Sequence, residues 1–108
     1  MDRHVHRVEE LRTRLQRDKE LYVEFLRVES MSAGLYSLPA GGTDPQDPHT
    51  EDEIYYVIAG RASIDIDGDV QPVESGAVIF VEKNVDHRFV DIAEALEVLV
   101  LFAPAETA

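Results

Sequence analysis

The alternation of apolar and polar positions changes period once along this chain. Up to Glu20 the apolar residues are sparse. Val5, Val8, Leu11 and Leu15 recur at three- and four-residue spacing, which predicts one face of a short amphipathic helix. From Leu21 the period is that of strands. Tyr22–Val28 and Met31–Leu38 read as the first two. Residues 39–48 hold three prolines and two glycines and form a loop by composition. Glu53–Ala59 follows as a strand, turned by Gly60. Arg61–Ile66 alternates, with Ala62, Ile64 and Ile66 on one face. Asp67-Gly68 is a strong hairpin dipeptide, and Asp69–Val73 returns from it. Glu74-Ser75-Gly76 turns into Ala77–Val81. Glu82-Lys83-Asn84 turns again, since asparagine tolerates a left-handed backbone. His87–Asp91 and Ala95–Phe102 complete about eight short strands. Short strands at regular spacing with tight turns predict an all-β sandwich or barrel. It forms one domain over residues 21–104, after a helical or mobile segment over residues 1–20.

Several of these strands are apolar on both faces. Tyr55 and Val57 point one way, and Ile54, Tyr56 and Ile58 the other. Ala77–Val81 and Leu96–Phe102 behave alike. A sheet with one side in water does not need this, so something covers the outer face: the helix, a second sheet, or another copy of the chain. A homodimer is the expectation.

Composition narrows the chemistry. The 108 residues suffice for one core. The chain has no cysteine, which excludes disulfides, thiolate metal sites and cysteine nucleophiles. Any metal must be held by histidine, carboxylate or amide oxygen. The formal charge is −12, and the first twenty residues carry six Lys/Arg against five Asp/Glu, so the acidity lies in the strands and loops. Such a surface repels nucleic-acid phosphates and anionic lipid. No apolar run approaches the ~20 residues of a membrane span, and the charged start lacks a signal-peptide core. A cytoplasmic protein acting on a small molecule, without nucleic-acid or membrane partners, is expected.

The chemistry-bearing stretch is Asp47-Pro-His-Thr-Glu-Asp-Glu53, at the entrance to an aromatic and β-branched strand. His49 and Glu53 stand four positions apart, and His87 opens a later strand. Taken singly, each is an ordinary loop or strand residue. Together they are the two imidazoles and one carboxylate of a metal site. On a straight strand His49 and Glu53 would lie about 13 Å apart, whereas ligands of one ion sit within roughly 3 Å of each other. A bend over Thr50-Glu51-Asp52, three polar residues that can be exposed, is therefore required to fold His49 back over Glu53. His4 and His6 make a second histidine pair, but no carboxylate scaffold fixes it.

This stretch resembles the first motif of the cupin superfamily: His-x-His, three or four residues, Glu, six residues, Gly. His49, Glu53 and Gly60 fit it, while Asp47 stands where the first histidine belongs. The second cupin motif is Gly, five residues, Pro-x-Gly, two residues, His, three residues, Asn. Gly76 and His87 fit, with Glu82, Asn84 and Asp91 in place of Pro, Gly and Asn. The resemblance covers roughly residues 21–104. It implies an antiparallel jelly-roll β-barrel with one divalent transition metal ion (Fe, Mn, Zn or Ni) inside its mouth. Related activities include dioxygenases, sugar isomerases and epimerases, and decarboxylases. A metal-dependent oxygenase or isomerase/lyase acting on a small organic acid, enol or sugar derivative is expected. A non-catalytic ligand-binding barrel is the alternative.

A fourth ligand is expected from Asp47 or Gln46. Asp47 shares a face with His49 in extended backbone, and Pro48 favours that conformation. By strand parity Tyr55 and Val57 share the inward face of Glu53, and Phe89 that of His87. These three are expected either to line the pocket or to pack in the core. Arg88 points outward.

Overall fold

The computed structural model describes residues 4–45 and 48–107. It contains one helix, α1 (Val8–Asp18), and six strands: β1 (Tyr22–Val28), β2 (Met31–Leu38), β3 (Asp52–Ile66), β4 (Asp69–Glu74), β5 (Val78–Val81) and β6 (His87–Ala103). Glu9 and Glu10 in the first turn of α1 and Arg17 in the last complement the helix dipole. Lys19, at φ 54°, ends the helix in the left-handed region, and its N–H bonds back to the Leu15 carbonyl. The predicted stripe holds from Val8 on, but Val5 lies before the helix and is exposed. Leu11 and Leu15 bury against Leu35, with Val8, Val23, Phe25 and Ile58 around them. Arg12 fastens the helix to β6 through two 2.6 Å hydrogen bonds to the Glu97 carboxylate. So α1 covers part of the outer face, Ile58 included.

All strand pairing is antiparallel, in the order β1-β2-β6-β3-β4, with β5 also on β3. Where about eight strands are expected, two pairs of them are single bent strands. Residues 53–59 and 61–66 are both within β3, and residues 87–91 and 95–102 within β6. The ladder between β3 and β6 runs round the bends because its register shifts between Val57 and Ser63. Gly60, at φ 99°, is the pivot, and a Cβ there would meet the Ala95 carbonyl oxygen at 2.2 Å. Asp91 takes the matching left-handed conformation in β6 (φ 50°). Asn84 adopts φ 64°, so it does the conformational work of the glycine it replaces in the motif, and the Asp67-Gly68 hairpin has both residues at positive φ.

The bends curl the β3–β6 ribbon into a barrel. Ile66 pairs with His87, yet the His87 side chain meets Glu53, at the far end of β3. A straight strand would hold those ends roughly 40 Å apart. Alternation sends Tyr36, Tyr55, Val57, Ile64, Phe89, Leu96, Val98, Val100 and Phe102 into the core. On the opposite side Ile54, Tyr56, Val78 and Phe80 stay exposed. Among the described residues no helix is long and apolar enough to cross a membrane.

Candidate metal centre

The site is assembled where the ribbon's ends meet. The chain leaves the proline-rich loop at His49, bends at Thr50 and Glu51, and enters β3 at Asp52. The bend is clamped to the turn before β6 by Asn84 N–H on the His49 carbonyl (2.6 Å) and by Lys83 N–H on Asp52 Oδ1 (3.0 Å). It folds His49 over Glu53 as the ligand-distance argument requires. The bend is not all exposed, however: Glu51 is buried. Desolvation pushes its carboxyl upward. Hydrogen bonds from the Thr50 and Thr107 hydroxyls and the Thr107 amide outweigh that and hold it below the usual range.

His49, Glu53 and His87 each offer a ligand atom, and these atoms lie within 4.8 Å of one another. His87 Nδ1 is 2.9 Å from the Val85 carbonyl oxygen. A carbonyl only accepts, so Nδ1 carries the proton and Nε2 of the neutral ring presents a lone pair. That Nε2 is 3.0 Å from Glu53 Oε1 and 3.1 Å from the Tyr55 hydroxyl. A lone pair against a carboxylate oxygen is repulsive, and no donor other than the His87 ring reaches either oxygen of the buried Glu53 among the described residues. A cation must stand between them, either a proton or a metal ion. In the metal-free chain a proton on the ring fills that place. Burial lowers the His87 pKa, but the Glu53 bond, the Val85 carbonyl and the charges of Glu53 and Asp44 outweigh it, leaving the ring above its ordinary value. The donor set, a fixed tautomer and an orphaned buried carboxylate all fit a divalent transition ion.

Gln46 and Asp47, the two candidates for a fourth ligand, lie outside the described residues. Tyr55, Val57 and Phe89 point inward as parity predicts and pack in the core beneath the cluster, with Tyr55 touching His87 directly. Arg88 is exposed. His6 packs on Phe25, and neither it nor His4 joins a metal-ligand group among the described residues. A cavity of about 330 Å³ opens beside His49, with Tyr22, Tyr36, Val100, Phe102 and Glu106 in its walls. Tyr22 reaches it because Gly34 has no side chain: a Cβ there would lie 2.2 Å from the tyrosine ring. The Tyr22 hydroxyl is buried without a hydrogen-bond partner among the described residues. Burial first, then the charges of Glu106, Glu24 and Glu53, hold its pKa well above the phenol range, so it is a donor.

Glu106 is the site residue that sequence reasoning misses. It follows β6, in a stretch with no motif or periodicity, yet its Oε2 lies 3.3 Å from His49 Nδ1. Burial raises its pKa, Glu53, Glu51 and Glu24 push it further up, and His49 pulls the other way.

The comparisons with known proteins agree with this architecture. A family model described as "Cupin domain" matches residues 34–102. An uncharacterized protein of Streptomyces coelicolor is 44% identical over 101 residues, covering 94% of this chain and 96% of its own. The cupin domain of Schizosaccharomyces pombe Cnp3 superposes with a TM-score of 0.70 at 17% identity, over 77% of this chain and 59% of that one. An RmlC-like cupin of Methanocaldococcus jannaschii, with a double-stranded β-helix fold, gives a TM-score of 0.70 at 21% identity, over 77% and 78%.

Proposed function

This chain belongs to the cupin domain family, and we propose that it is a metal-dependent enzyme acting on a small organic acid, enol or sugar derivative. The observation that carries this reading is Glu53: a buried carboxylate with no donor among the described residues except the ring of His87. His49, Glu53 and His87 would hold the ion. Bound there, a divalent ion supplies Lewis-acid polarisation of a substrate oxygen, and iron adds oxygen chemistry. The chain's own groups supply the rest. Val85 fixes the His87 tautomer, Phe102 and Val100 keep the cavity wall apolar, and the Tyr22 hydroxyl is a donor awaiting an acceptor.

Elemental analysis of purified protein should find about one transition-metal ion per chain, and His49→Ala and His87→Ala should each lose most of it. Stoichiometric metal in the double variant would sink the site. Oxygen consumption or turnover in a metabolite screen with the Fe(II)-loaded protein separates enzyme from binder. Tight metal binding without turnover would leave the ligand-binding reading.

The exposed apolar side chains of Ile54, Tyr56, Val78 and Phe80 support a homodimer through this face. Ile58, part of the same sequence pattern, is covered by α1 instead. Sedimentation should give a dimer, and Tyr56→Lys with Phe80→Glu should give a folded monomer. A wild-type monomer at micromolar concentration would rule the dimer out.

A further inference from the structure

The segment after β6 is held in place more firmly than a connecting stretch needs. The Ala105 amide bonds to the Glu29 carbonyl (3.4 Å). The Glu106 amide donates to Ser32 Oγ, and the Glu106 carbonyl accepts from Arg27 Nη2, each at 2.8 Å. The next residue, Thr107, donates to Glu51 from its amide (3.3 Å) and its hydroxyl (2.9 Å). Residue 106 is thus pinned at both its backbone polar groups, and its successor is latched to the residue two positions before Glu53. This fixes the direction of one side chain, and that side chain faces His49 Nδ1 at 3.3 Å.

The side chain is half-buried, and its acidic neighbours Glu51, Glu53 and Glu24 are offset by Arg27 and His49. A metal-binding histidine needs its remote nitrogen protonated and its ring held, and a carboxylate on that nitrogen does both. His87 receives this support from the Val85 carbonyl. His49 has no rigid strand beneath it, since it sits before the bend into β3.

We propose that Glu106 is the positioning residue of His49: it takes the Nδ1–H of the imidazole and aims the ring at the ion, so that the segment after β6 completes the metal centre. This rests on the metal reading of the site but adds a residue outside both sequence motifs. It makes the latch of Thr107 on Glu51 part of the same device.

The test is a Zn(II) titration of metal-free protein against a chromophoric chelator, with 15N-histidine NMR of the zinc-loaded state. Glu106→Ala should weaken zinc binding about 10- to 100-fold. It should also erase the signature of a single Nδ1-protonated His49 tautomer, while circular dichroism is unchanged. Glu106→Gln, which keeps an oxygen acceptor, should recover most of the affinity and the tautomer. Thr107→Ala should give a smaller loss in the same direction. If wild type fails to bind zinc, the metal reading falls and this role with it. If wild type binds and His49→Ala does not, but Glu106→Ala binds as tightly with the tautomer unchanged, the metal site stands and only the positioning role is overturned.

Discussion

Asp44 and Glu53 are both buried carboxylates of one barrel, 5% and 1% exposed, yet their surroundings differ in kind. Asp44 accepts from the Tyr36 hydroxyl at 2.6 Å on one oxygen and from the Phe89 amide at 2.9 Å on the other. It ties the proline-rich loop to β2 and β6. Among the described residues Glu53 has no neutral donor on either oxygen and meets only the His87 ring. A buried carboxylate supplied with neutral donors can carry its charge as structure; one without donors has to borrow a cation. Burial alone does not separate the two, and the inventory of partners does.

The largest test of that difference is stability without metal. Asp44→Ala removes the acceptor of a buried hydroxyl and of a buried amide and should cost about 2–5 kcal/mol in urea denaturation. Its effect on metal content should be small once the protein is folded. Glu53→Gln should do the reverse. Metal binding should vanish, while the metal-free protein should lose less than it does in Asp44→Ala, because His87 can shed its proton once its partner is neutral. Equal destabilisation by the two substitutions would make Glu53 a structural carboxylate too.

A pH series sharpens the contrast. Folding raises the His87 pKa, so its protonated pairing with Glu53 stabilises the metal-free protein fully below the ordinary histidine value. That contribution is lost as pH rises through the folded value. Zinc must displace the same proton, so stabilisation by zinc should instead grow with pH. Denaturation of wild type and His87→Gln, with and without Zn(II), from about pH 5.5 to about 8.5 isolates the histidine. A metal-free wild type that gains stability over His87→Gln as pH rises would break the account.

The smallest effect compares two tyrosines. Tyr36→Phe removes a hydrogen bond to a charged group and should cost about 1.5–3 kcal/mol. Tyr55→Phe removes the hydroxyl beside His87 Nε2 and should cost less than Tyr36→Phe in the zinc-loaded protein. The opposite order in thermal denaturation would mean that Tyr55 holds His87 structurally.

Much of this was legible in the residues because a strand's period of two is unforgiving. Parity alone places Glu53, Tyr55 and Val57 on one inner face and His87 with Phe89 on another, and ligand distances alone demand the bend after His49. Three things lay beyond it. Two strands run through their bends because Gly60 and Asp91 turn the backbone without breaking the ladder, which no periodicity records. The burial of Glu51 depends on Thr107, fifty-six residues away. Glu106 owes its place to Arg27 and Ser32, contacts that exist only once β1 and β2 are docked.

The curled β3–β6 ribbon also governs timing. Its ends are brought together at the centre, so an ion held by His49, Glu53 and His87 would act as the clasp of a hoop. Such an ion would tie the two ends of the ribbon together, so removing it should speed the exchange of backbone amides at both ends.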